Sequence, residues 1–174
     1  MNAPELAVTA TRVIALDWMA APQQARERHW QQLHGDAGLA AWLALLKPTH
    51  LYFGSEFCEH LLPSVHALRE ALKRARAGRL RFALLTPVAS PGVLDQLDAL
   101  LPMLSAGMEV VVNDWGVAHQ VATRFPALQS VAGRVLCRMT KDPRLSPSWA
   151  SQCGHGLAAA TTRGLFERLG IHRL

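Results

Sequence analysis

Short apolar runs that close on polar or small residues alternate with helix-length stretches along the whole chain. Arg12-Val-Ile-Ala-Leu16, His50-Leu-Tyr-Phe53, Leu80-Arg-Phe-Ala-Leu-Leu85, Glu109-Val-Val-Val112 and the segment from Val131 to Arg138 read as buried strands. Ile171 to Leu174 reads as the first half of a sixth. Between them lie helical patterns. Pro22 suits the first turn of a helix reaching about Leu33, and Leu39 to Leu46 forms a second helical piece that stops before Pro48. Pro63 opens a helix whose Leu68, Ala71 and Leu72 recur at three-to-four spacing until Gly78. Ser90 followed by Pro91 is an N-cap with proline at the first helical position, and Val93, Leu94, Leu97, Leu100 and Leu101 make its apolar stripe. Gly107 marks the end of that stretch, beyond Pro102. Further helices are expected from about Val117 to Arg124 and from Leu157 to Leu169, the latter capped by Gly170, after a loop between Pro143 and Pro147.

Strands alternating with helices imply parallel pairing with right-handed crossovers, hence an α/β fold. Two architectures fit. One is a partial or truncated β/α barrel, because a complete eight-fold barrel takes about 250 residues and this chain has 174. The other is a doubly wound open sheet, although neither a Gly-x-Gly-x-x-Gly turn nor a phosphate-binding P-loop is present. Residues 1–11 read as a flexible leader and 12–174 as one α/β domain, since half of the residues are apolar and can fill one core.

In parallel sheets the carboxyl ends of the strands are where ligands bind. The most informative segment is therefore Glu109-Val-Val-Val-Asn-Asp-Trp-Gly116, a valine run that delivers Asn113 and Asp114 to such an edge. Asp17, Thr86, Asn113 and Arg138 are the candidate ligand-binding groups, each at an expected strand end. Lys141 is a further cation beyond Arg138. Asp114 and Glu56 are the candidate catalytic acid and base, because desolvation and like charge separate the pKa values of neighbouring carboxylates. The competing reading of Asn113 and Asp114 is helix capping.

Composition narrows the classes. The 18 basic against 13 acidic residues give a net charge of +5, which permits contact with RNA or an anionic surface. The basic run from Lys73 to Arg81 also suits a solvated helix end. The longest apolar stretch, Leu39 to Leu46, has eight residues, whereas a bilayer-crossing helix needs roughly 20. Met1 to Thr11 has no secretory pattern. Cys58, Cys137 and Cys153 are odd in number and widely spaced, which argues against a disulfide framework and for a cytoplasmic setting. Cys153 and His155 sit two apart in a Gly-flanked segment, short of the four ligands a zinc site needs. His29, His34, His50, His66, His119 and His172 are scattered, and most of them are expected to face solvent. Serine-nucleophile motifs are absent.

Leu51-Tyr-Phe-Gly-Ser-Glu-Phe-Cys58, Val110-Val-Val-Asn-Asp-Trp-Gly116 and Val131-Ala-Gly-Arg-Val-Leu-Cys137 follow one another in an order that resembles the collagenase-like peptidase family of β/α-barrel proteins. Within it, the accessory proteins of oxygen-independent ubiquinone hydroxylation are the most similar, over Thr49 to Leu145. The resemblance implies that Cys58 stands at the first cysteine ligand of a four-iron cluster, whose other three ligands lie beyond the length of this sequence. An iron-sulfur cluster would then require ligands from a partner. It also aligns Asn113 and Asp114 with the polar end of the family's Asp-Leu-Gly strand, Trp115 replacing the leucine. The implied function is an accessory or ligand-binding component of a hydroxylation pathway acting on a ubiquinone precursor or RNA. Two alternatives stand beside it: a non-catalytic module docking on a longer partner, and a hydrolase using Asp114 and Glu56. A chain that stops within its last strand is expected to form a homo- or hetero-oligomer.

Overall fold

The computed structural model describes residues 7–13, 16, 19, 21–137, 157 and 159–173. Five strands form one parallel sheet in the order β1-β2-β3-β4-β5: β1 Ala7–Ala10, β2 His50–Gly54, β3 Arg81–Leu85, β4 Glu109–Val112 and β5 Gln129–Ala132. The order follows the chain without reversal. A doubly wound sheet reverses its order at a switch point, so the described strands have the singly wound, barrel-type order instead. Helices alternate with them: α1 Gln23–His34 and α2 Ala37–Leu45 before β2, α3 Val65–Ala77, α4 Pro91–Leu100, α5 Trp115–Arg124 and, after β5, α6 Ala160–Arg168.

The first strand lies earlier than the apolar run suggests. Ala7–Ala10 pairs with β2 in the register Ala7 to His50 through Ala10 to Phe53, while Arg12 and Val13 are outside any strand. A strand at the sheet edge has less surface to bury, and in β1 only Ala10 is buried. Arg12, Val13 and Leu16 of the more apolar run thus lie outside the strand. Residues 7–10 of the expected leader are part of the sheet.

The chain falls into two compact units, Met1–Ser55 with Leu61–Leu84, and Glu56–His60 with Leu85–Leu174. In the first, β2 is buried along most of its length, and its Phe53 ring lies 6.5 Å from that of Phe82 on β3. His50 does not face solvent: it is buried, with Nδ1 2.8 Å from the Thr49 hydroxyl. Gly54 ends β2 at φ 119°, a conformation that costs a side-chain-bearing residue dearly. α3 is an amphipathic helix in which Leu68, Ala71, Leu72 and Ala75 are buried at i, i+3, i+4 and i+7. Ser64, one residue after Pro63, is its N-cap and accepts from the Ala67 amide at 3.2 Å.

The second unit buries Val93, Leu97 and Leu100 of α4 with Val110 and Val112 of β4 and Val117 and Val121 of α5. Each such side chain contributes roughly 1.5–3 kcal/mol when fully withdrawn from water. Ser90 sets the start of α4 but makes no capping bond. Its hydroxyl donates instead to Glu59 Oε2 at 2.8 Å. Pro102 falls in a single 3₁₀ turn, Leu101–Met103, that closes the helix before Gly107. α4 and α5 are tied by Asp98, which accepts from Gln120 Nε2 at 2.5 Å and Arg124 Nη1 at 2.6 Å. The bond from Arg124 holds the Asp98 carboxyl below its ordinary range.

β5 is shorter than the apolar segment from Val131 implies: it begins at Gln129 and ends at Ala132, and residues 134–137 turn away. The physical reason is competition for backbone donors. The Arg134 amide donates to the Glu56 carboxylate and the Val135 amide to the Asn113 side chain, so neither serves a strand ladder. After α6, Arg173 forms a parallel bridge with Val131, its carbonyl accepting from the Ala132 amide at 3.0 Å. This places the start of the expected sixth strand beside β5. The loop between Pro143 and Pro147 lies outside the described residues.

Candidate functional site

β4 ends in a valine run buried at Val110, Val111 and Val112, and the next residue, Asn113, is 1 % exposed. A buried side-chain amide has to satisfy donors and acceptor within the protein. Asn113 Nδ2 donates to the Thr86 carbonyl at 2.8 Å, and its Oδ1 accepts from the Val135 amide at 3.0 Å. Thr86, fully buried directly after β3, donates its hydroxyl to the Val111 carbonyl at 2.8 Å. Gly133 completes this packing: a Cβ there would lie 2.3 Å from Asn113 Oδ1. The residue after β5 has to be glycine for Asn113 to occupy its place. Two of the expected ligand-binding residues, Thr86 and Asn113, are therefore brought together, and the contacts between them link the ends of β3, β4 and β5.

Asp114 is the N-cap of α5, its Oδ1 accepting from the Val117 amide at 2.8 Å. Its Oδ2 accepts from the Ala89 amide in the segment before α4. The helix begins at Trp115 rather than near Val117 because this cap organises its first turn. Glu56, buried where Asp114 is half-buried, accepts from the Arg134 amide at 2.9 Å on Oε2 and from Arg134 Nε at 2.8 Å on Oε1. Each candidate catalytic carboxylate is thus hydrogen-bonded on both oxygens. Asp114 bonds to Ala89 and α5, and Glu56 to the turn after β5.

Arg134 is a candidate binding group that the sequence pattern does not single out. Its backbone and Nε are fixed by Glu56, its guanidinium lies over the Phe57 ring at 4.6 Å, and 70 % of the side chain remains exposed. A guanidinium anchored through Nε presents a planar fork of donors suited to carboxylate, phosphate or an aromatic face. The signal is present in Val131-Ala-Gly-Arg134, a buried strand followed by glycine and a cation. Extending the strand through it conceals the turn.

Cys58 is half-buried next to Phe57, just before the 3₁₀ turn Glu59–Leu61. Among the described residues no group of three or more histidine, cysteine or acidic side chains gathers as a metal site would require. Cys137 is half-buried at the end of the turn after β5, its amide donating to the Gly133 carbonyl at 3.1 Å. Burial, and then the Glu56 carboxylate, push its thiol pKa up. Asp17, Arg138, Lys141, Cys153 and His155 lie outside the described residues. Among the described residues no helix is long and apolar enough to cross a membrane. No family model, curated protein or solved structure matches the chain.

Proposed function

We propose that the chain is an accessory, ligand-binding component of a hydroxylation pathway, as its resemblance to the collagenase-like peptidase family implies, with a ubiquinone precursor or RNA as the bound molecule. The observation that carries the reading is the Arg134 guanidinium, oriented by Glu56, stacked on Phe57 and open to solvent. A planar, anionic or electron-rich ligand satisfies such a group through bidentate bonds and stacking. Aromatic acids and single-stranded RNA both have that chemistry. The carboxylates support binding over hydrolysis, because Asp114 and Glu56 already hold the scaffold through both oxygens. Titration with short single-stranded RNA by fluorescence anisotropy, and with an aromatic carboxylic acid by calorimetry, tests the reading. Binding of either ligand is expected, weakened roughly tenfold by Arg134→Ala, the equivalent of one charge-assisted hydrogen bond. No binding of either, or binding indifferent to Arg134, rejects it.

A second reading, a non-catalytic module that assembles with another chain, is favoured by α2. That helix is apolar around its circumference, with Leu39, Trp42 and Leu45 exposed. A monomeric mass by light scattering at micromolar concentration counts against self-assembly, and failure to recover a stoichiometric partner counts against a hetero-complex.

A further inference from the structure

The first unit contains a cavity of about 290 Å³, lined in part by the apolar side chains of Leu16, Met19 and Leu80. Three cations line it as well: Arg26 of α1, Lys47 of the segment leading into β2, and Arg74 near the end of α3. No acidic residue lines it among the described residues. The last turn of a helix carries partial negative charge and accommodates Arg74 without a ligand. Arg26 and Lys47 come from other segments and have no such explanation. Arg26 Nε is moreover buried without a hydrogen-bond partner among the described residues. Buried donors are almost always paired in proteins, so a guanidinium nitrogen without a partner among the described residues, on a residue lining a cavity, is a place for an acceptor.

We infer that this cavity binds an amphipathic anion: one carboxylate or phosphate head held by Arg26 and Lys47, on an apolar body packed against Leu16, Met19 and Leu80. Its volume lies at the small end of ligand pockets, which run roughly 300–1,000 Å³. A medium-length alkyl chain with a single head group is of matching size. This site is separate from the Arg134 edge and does not depend on the proposal made for it.

The test is calorimetric titration of the full chain with decanoate, decyl phosphate and decanol, each below its aggregation concentration. Saturable one-to-one binding of at least one of the two anions is expected, with decanol at least tenfold weaker; the tighter anion identifies the head group. Arg26→Met and Lys47→Met are each expected to weaken anion binding roughly tenfold, as loss of a charge-assisted contact does. Lys47 lies outside any helix or strand, so Lys47→Met keeps the test decisive if the α1 variant fails to fold. Equal binding of decanol and the anions, anion binding unchanged by both substitutions, or no binding of either anion would overturn the proposal. Decanoate affinity that falls with Arg134→Ala while surviving Lys47→Met would move the binding to the strand edge and also overturn it.

Discussion

The Asn113 amide occupies the space in which a side chain at position 133 would lie, 2.3 Å from the position of a Cβ on Gly133. Asn113 cannot move aside cheaply, because its two ends are bonded to the Thr86 carbonyl and the Val135 amide. Gly133→Ala is therefore expected to destabilise the protein by roughly 1–3 kcal/mol, the range for overpacking a filled interior. Calorimetric or circular-dichroism melting checks it, and an unchanged Tm would show that the amide has another place to go. Asn113→Asp sharpens the test by exchanging the donor to Thr86 for an oxygen. With a carboxylate buried beside a carbonyl, the native-state pKa of the new group rises, so the variant's deficit should grow as pH increases through the ordinary carboxylate range.

Asp114 gives a graded prediction. Asp114→Ala removes the cap of α5 and the acceptor for the Ala89 amide together. A loss of about 1–2 kcal/mol is expected by chemical denaturation, in line with other N-cap deletions. Asp114→Asn retains one carbonyl oxygen for the cap and should lose less. If both variants melt like the parent, Asp114 is not a structural cap in solution. Should the chain prove to have a hydrolytic activity, turnover retained by Asp114→Asn would exclude Asp114 as its essential base.

Cys137 has a thiol pKa raised by burial and by the Glu56 carboxylate. Its alkylation by iodoacetamide, followed peptide by peptide in mass spectrometry, should accelerate only at higher pH than that of an unperturbed thiol, since the thiolate is the nucleophile. Glu56→Gln removes the second of the two causes and should bring the profile part of the way back. The sign for stability follows from linkage: the unfolded thiol loses its proton first as pH rises, so this group erodes stability above its ordinary pKa and has no effect well below it. A Cys137 profile matching that of a free thiol would contradict the burial argument.

Much of the architecture is legible in the residues alone. α3, α4 and β4 fall where apolar spacing, Ser90 before Pro91 or a polar terminator puts them, because the helices bury one face and β4 buries both, and the pattern records that burial directly. Asn113 and Thr86 are legible as strand-end groups for the same reason. β1 is not: an edge strand with one buried residue leaves almost no pattern, and the richer run from Arg12 outweighs it. The end of β5 is hidden because it is decided by acceptors from elsewhere in the chain.

The alternation of helices with parallel strands, and the delivery of polar residues to strand ends, are written in the order of the amino acids. Both are consequences of local periodicity and of the crossover that parallel pairing demands. What those residues do depends on how the chain packs. Glu56 meets the Arg134 amide across 78 positions of chain, and Asn113 meets the Thr86 carbonyl across 27. No local pattern encodes a partner at that distance. Packing therefore gives Asp114, a candidate base by its position after β4, a structural task, and leaves most of the Arg134 side chain exposed to solvent. The three cations around the first unit's cavity are likewise scattered along the chain and share a site only once α1, α3 and the approach to β2 have packed.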